Sequence, residues 1–537
     1  MFTMRRRALC KAAIAGLASA AMLALPVAAE PKRGGTVVIA STPEPPILTN
    51  AMSSAPVTNE VATKIFDGLL EYDMDLNPQP SLATSWDISD DGKTVTFNLR
   101  DDVTWHDGEP FTSADVQFSL MEVVKSHHPR GKSNLGPLES IETPDDYTAV
   151  FHLEHPYVPL MRALSSLEAP IIPRHIYEGT DFRNNPAVND PIGTGPFKFV
   201  EWRKGSHIRL ERNENYWREG MPYLDGLIFR FIADAATRAA GIESGEIDVA
   251  TFGSINPVEM RRLEGLSNIS ITPGGYEAIT PMMLLELNNR RAPFDDKRVR
   301  QAVAYAIDRQ FLTDRIWYGF GKPAVGPISS ALEGSGVFTK EGVVDFTVED
   351  RLDIAKRLLD EAGYTPDEDG VRLKIVHDIG PFGEDWRRMG EYLKQALSKV
   401  GIEVELRNRD YPTFVRMVHG EYDFDMTSSW YIGMADPTLG VQRNTWSQMI
   451  NPKVPYGNAS GYSSPEADAL WEAAQTEADP EKRNEIFHNL QRQLVEDSPL
   501  IWLMEMDLVA VNNDRVQNLI TSPLGIRDGV YDMWVSE

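Results

Sequence analysis

The sequence predicts an α/β protein built as more than one lobe, and three features of its 537 residues carry that expectation. Short β-branched runs alternate with helical stretches, which is the pattern of mixed α/β layers. One clear unit, Leu373-Lys374-Ile375-Val376, a helical stretch from Arg387 to Val400 and then Ile402-Glu403-Val404-Glu405-Leu406, reads as strand, helix, strand and implies a parallel crossover. The length exceeds what one hydrophobic core holds, so two or three domains are expected.

Taken in chain order, the first 29 residues place Arg5, Arg6, Arg7 and Lys11 before a run of small apolar residues that ends in Val27-Ala28-Ala29. That order is an export signal with cleavage after Ala29. Arg6-Arg7 fits a twin-arginine route, and the general secretory route fits as well. Thr36-Val37-Val38-Ile39-Ala40 then reads as a buried strand, ended by the loop Ser41 to Pro46. Trp86 to Ser89 and Thr94 to Leu99 flank Asp90-Asp91-Gly92-Lys93 and read as a hairpin with one buried face. A helix is expected to start at Ser113-Ala114. Met282 to Leu287 reads as a buried strand, followed by a helix over 295–312 with Asp295 as its N-cap and Val299, Ala302, Val303, Ala306 and Ile307 on its apolar face. Helices return at 464–496, where Asp479 precedes Pro480, and two apolar runs, Leu500 to Leu503 and Leu508 to Val511, close the pattern.

Composition narrows the function. The chain holds 53 basic and 79 acidic residues, and loss of the four basic residues within positions 1–29 takes the net charge from −26 to −30. Such a surface repels phosphate backbones, so nucleic acid is excluded as a partner. Its only cysteine, Cys10, falls in the export segment, so the mature chain has neither disulfides nor thiolate chemistry.

Enzyme signatures are missing. There is no serine followed by lysine three positions on, no GxSxG, and no phosphate-binding loop, since Asp87 stands where the leading glycine before Gly92-Lys93-Thr94 would be. His152 and His155 fall on opposite faces of an extended segment, and His127-His128 has no HExxH context, so no metal site is expected. His106 reads as a hydrogen-bonded structural residue. No catalytic residue and no cofactor is assigned.

Three segments, LRDDVTWHDGEPFTSADVQFSL at 99–120, PIGTGPFKFVEW at 191–202 and DDKRVRQAVAYAIDR at 295–309, together resemble the family 5 extracellular solute-binding proteins, the capture subunits of ABC importers. The resemblance implies a two-lobed periplasmic binding protein fold of the large type II class, with mixed sheets in each lobe, a two-strand hinge and an extra inserted subdomain. On that plan 30–60, 190–284 and 504–537 form the core of lobe I, 61–189 the insert and 285–503 lobe II, with crossovers near Leu284 to Asn288 and Leu500 to Glu505. It also implies a periplasmic, monomeric receptor that closes on a peptide-like or opine-like solute and hands it to membrane permease subunits. An oligosaccharide receptor of the same fold, a hydrolase, and a chaperone or adhesion module are the competing readings.

A solute cleft needs aromatic walls and a few polar anchors at strand ends. The stretch from Tyr422 to Pro437 qualifies, with Trp430 and Tyr431 at a strand end and Asp436 beyond them. The loop after Val376 adds Asp378, Phe382 and Trp386. Arg443 and Asn458 lie in later loops of the same lobe, and Thr42 and Glu44 follow the first strand of the other. Arg443 suits a carboxylate or phosphate. Resemblance to dipeptide-binding members places their ammonium anchor at Gly433 and their carboxylate anchor at Gly380, so both usual terminal anchors are replaced here.

Overall fold

The computed structural model describes residues 30–251 and 253–536. The expected export segment, including the cleavage after Ala29, lies outside the described residues. Two mixed sheets and one smaller antiparallel sheet organise the rest.

The first sheet grows around Thr36–Ser41, whose alternate residues are buried and which pairs in parallel with both Gly226–Phe231 and Val249–Ala250. Antiparallel neighbours extend it to seven strands, with Phe197–Arg203 at one edge and Ile269–Thr272 at the other. Ala510–Asn513 returns from the end of the chain to lie between Ile269–Thr272 and Val249–Ala250. The second sheet has six strands in the order Gly321–Pro323, Leu500–Met506, Pro281–Leu287, Met426–Ile432, Leu373–Ile379 and Ile402–Asn408. Every residue of Pro281–Leu287 and Leu500–Met506 is buried, which is why both read as nearly continuous apolar runs, interrupted only by the buried Glu286 and Glu505, rather than as alternation. The expected crossover is present: helix Glu384–Ser398 links Leu373–Ile379 to its parallel partner Ile402–Asn408.

Between Thr36–Ser41 and Phe197–Arg203 the chain builds a four-stranded antiparallel sheet from Ala83–Ile88, Thr94–Leu99, Leu138–Asp145 and Thr148–Leu153. The hairpin pairs Trp86 with Phe97, and Val95, Phe97 and Leu99 face inward, where Phe97 meets Phe151 at a centroid distance of 4.8 Å. His106 joins two of the signature segments. Its Nδ1 accepts from the Gly193 N–H (3.3 Å), which leaves Nε2 as the donor to Gly195 O (3.0 Å), and burial pushes the imidazole down to about 4.

Two expectations shift. The chain crosses between the large sheets at 273–280 and 507–509, because Pro281–Leu287 pairs along its whole length with Met426–Ile432, and Leu500–Met506 stays in the second sheet to its end. The boundaries drawn at 284–288 and 500–505 therefore fall inside strands. The helix expected over 295–312 is two segments: Asp296, not Asp295, caps Lys297–Ala306, and Asp308 caps a second start by accepting from Phe311 N–H (2.9 Å). A short acidic side chain that bonds the backbone ahead of it breaks the helix that the apolar periodicity alone would continue.

Candidate ligand-binding cleft

The two large sheets face one another across a cleft with two chambers, and the second crossover segment, 507–509, contributes to its lining. The first chamber, about 470 Å³, is walled on one side by Thr251, Gly253, Ile255 to Val258 and Met260 and on the other by Trp317, Phe320 and Trp386, with Asp507 and Val509 from the second crossover. The second, about 600 Å³, lies between Met52–Pro56 with Arg130 on one side and Tyr411, Tyr431, Arg443 and Tyr456 on the other. Phe382 and Trp430 belong to both linings and form the partition. Volumes of this size are those of small-molecule sites.

Local sequence explains how these side chains are presented. Met426–Ile432 is held between Pro281–Leu287 and Leu373–Ile379, so Trp430 and Tyr431 emerge near its end with little freedom. The Tyr431 hydroxyl donates to Glu286 Oε1 (2.7 Å), and burial pushes the Glu286 carboxyl up to about 7. Phe382 meets Trp386 at 4.9 Å in an edge contact, and Trp386 meets Trp317 at 5.7 Å. On the far wall Tyr456 donates its hydroxyl to that of Tyr411 (2.9 Å) and packs on His419.

The lobes also touch outside the cavities. Arg261 of helix Pro257–Leu263 donates from Nε and Nη2 to Tyr318 O (2.8 and 2.7 Å). Across from it, Val158 N–H of the insert donates to Gln475 O (3.2 Å), and at the edge of the second chamber Ala163 packs with Met434 and Leu439, which also line it.

Of the ten residues expected at the site, five line these chambers: Phe382, Trp386, Trp430, Tyr431 and Arg443. The others have different work. Asp378 is fully buried inside the strand rather than in the loop after it, and Arg407 and Arg409 occupy its carboxylate (2.7 Å each). Asp436, expected as a substitute ammonium anchor, is bound by both Arg483 Nη atoms (2.7 and 3.0 Å) and by Thr438. Asn458 spends its amide on the Trp446 and Tyr462 carbonyls and its oxygen on Ser460 and Gly461. Glu44 accepts from Trp202 Nε1 (2.7 Å) and Gly205 N–H, and neither it nor Thr42 lines a chamber.

Neither glycine that replaces a usual anchor has room for a side chain. A Cβ on Gly433 would lie 2.5 Å from Thr280 Oγ1, and one on Gly380 would lie 2.5 Å from Ser428 O.

Residues that sequence reasoning passed over include Met52–Pro56, Arg130, Tyr411 and Tyr456 in one chamber and Trp317 and Asp507 in the other, where Asp385, from the candidate segment 377–386, also lies. They come from short helices and loops far apart in the chain, with no shared spacing to betray them. Burial holds the Asp385 and Asp507 carboxyls above their usual range. Among the described residues no group of three or more His, Cys, Asp or Glu could hold a metal ion, and no helix is long and apolar enough to cross a membrane.

Comparison with known proteins agrees with this architecture. The oligopeptide-binding protein AppA of Bacillus subtilis (strain 168) is 27% identical over 493 residues, covering 89% of this chain and 87% of AppA. Its structure in complex with a nonapeptide superposes with a TM-score of 0.78 at 25% identity, over 95% of this chain and all of that one. The binding protein AgaA from A. tumefacien R10, solved with agropinic acid, gives 0.76 at 25% identity, over 94% of this chain and 99% of its own. Residues 77–448 match the profile "Bacterial extracellular solute-binding proteins, family 5 Middle". With more than half its length matched to that profile and the two-lobed fold in place, this chain belongs to the family 5 bacterial extracellular solute-binding proteins.

Proposed function

We propose that the protein captures a peptide-like or opine-like solute between its lobes and delivers it to the permease of an ABC importer, working as a monomer in the periplasm after removal of residues 1–29. The observation that carries this reading is the pair of chambers closed by both lobes and divided by Phe382 and Trp430. AppA with its nonapeptide and AgaA with agropinic acid support the solute class. Release of the solute requires only that the lobes part, and the energy of transport comes from the importer's ATPase, so the cleft needs no reactive group.

Native mass spectrometry of gently purified protein tests the reading, with a bound solute of a few hundred daltons as the expected result. Trp430→Ala is expected to weaken binding of that solute by about 1–3 kcal/mol, because it removes an aromatic wall shared by both chambers. Unchanged affinity in that variant would place the site elsewhere.

A further inference from the structure

Four arginines line the two chambers: Arg238 and Arg388 in the first, Arg130 and Arg443 in the second. Three of them are engaged. Arg130 grips Glu168 through Nε (2.7 Å) and Nη2. Arg238 donates to the carbonyls of Ser254, Ile232 and Ala233. Arg388 donates to the Tyr318 hydroxyl (3.1 Å) and pairs with Asp385 (3.3 Å). Arg443 differs. Among the described residues, only Nη2 of its donors has a protein acceptor, the Pro455 carbonyl at 3.4 Å. It is half-buried, and burial together with the neighbouring Arg130 guanidinium holds it below the usual arginine range.

Most other buried arginines in this chain have their forks filled. Arg483 is bound to Asp436 and to the Ala474 carbonyl, Arg300 by three bonds close to 3 Å to the carbonyls of Phe294 and Asp497, and Arg212 to Asp225 and two carbonyls. A half-desolvated guanidinium left with open donors in a cavity costs free energy unless an acceptor arrives. The surroundings specify the sign. Among the described residues no carboxylate lines the second chamber, whereas Glu384, Asp385 and Asp507 line the first.

We propose that the captured solute bears a carboxylate that enters the second chamber and is held by Arg443, with the rest of the molecule passing the Phe382–Trp430 partition toward the acidic first chamber. This assignment rests on the cleft being the binding site and adds the anchored group and the direction of the solute. It gives the carboxylate an anchor other than position 380, where the backbone has no room for one.

The test pairs each free acid with its carboxamide. Trialanine, trileucine and N-(1-carboxyethyl)arginine, and the amide of each, are titrated by calorimetry and thermal shift against the full mature protein, Arg443→Gln, Arg443→Lys and Trp430→Ala. The expected result is that at least one acid binds the wild type, that its amide binds roughly 30-fold or more weakly, and that Arg443→Gln removes this acid-over-amide preference. Arg443→Lys is expected to keep part of the preference, since it retains the charge without the fork. A second readout needs no solute. If Arg443 waits for an anion, the ligand-free Arg443→Gln protein keeps or raises its Tm, because an unpaired cation has been removed. A fall of more than about 3 °C would mark a structural role and overturn the assignment. Acid and amide binding equally, with Trp430→Ala weakening both, would overturn the carboxylate assignment and leave the cleft intact. Binding of no acid to the wild type would overturn the assignment, and equal binding to wild type and Trp430→Ala would overturn the cleft as well.

Discussion

Asp378 and Asp436 show how little a residue's type says about its task. Both are carboxylates beside aromatic residues in segments that approach a ligand cleft, yet each is fully engaged by arginines, Arg407 and Arg409 for the first and Arg483 for the second. Removing one member of a buried ion pair leaves the other uncompensated. Asp436→Asn is therefore expected to cost about 3–5 kcal/mol of folding stability, read as a lowered denaturant midpoint, with solute affinity of the folded fraction unchanged. Glu286 carries the opposite expectation. Its carboxyl is raised to about 7 in the folded state by burial, so the native protein holds a proton that the unfolded chain releases near pH 4.5, and stability falls as pH rises between these values. Glu286→Gln removes that loss, and chemical denaturation is expected to find it more stable than wild type at pH 8, by on the order of 1–3 kcal/mol, with the advantage fading toward pH 4.5. The aromatic anchors were legible because a strand end is a good place for Trp430 and Tyr431. Asp378, Asp436 and Asn458 were misread because their partners Arg409, Arg483 and Tyr462 carry no local mark of pairing.

At the scale of elements, the segments with the strongest sequence signal serve as joints in the scaffold. His106 clamps the 99–120 segment onto Gly193 and Gly195, and Lys198 donates to the His106 carbonyl (3.2 Å). Because burial lowers the imidazole to about 4, this joint requires the neutral ring. Its contribution is whole above the ordinary histidine value and is lost as pH falls from about 6.5 toward 4. His106→Ala is expected to lower stability by about 1–3 kcal/mol at pH 7, and by less at pH 4.5, in parallel urea titrations. Regular elements were readable where one periodicity dominated, as in Thr94–Leu99 and the Leu373–Asn408 crossover unit. They were misjudged where a side chain overruled the period: Asp308 splits the helix after Ala306, and Asp378 proves to be interior to a strand that runs on to Ile379.

The whole molecule is a pair of lobes that meet at a cleft and at two flanking contacts, Arg261 to Tyr318 O and Val158 to Gln475 O. A solute at a hundred times its Kd stabilises the state that holds it by about 2.7 kcal/mol, so thermal unfolding is expected to shift upward by several degrees and small-angle scattering to show contraction. Arg261→Ala removes a partly exposed contact made only when the lobes meet. The expected result is a weakening of affinity by no more than about 1 kcal/mol, with an expanded ligand-free particle in scattering. Composition, the apolar runs and the three signature segments were enough to determine the family and its α/β lobes, because burial patterns and family motifs are local properties of the chain. Only the tertiary structure decided where the chain crosses between lobes, which carboxylates are already neutralised, and that Arg443 faces a chamber with its donors open. Those are pairings between residues dozens to hundreds of positions apart, and a linear sequence does not record which charges folding brings together.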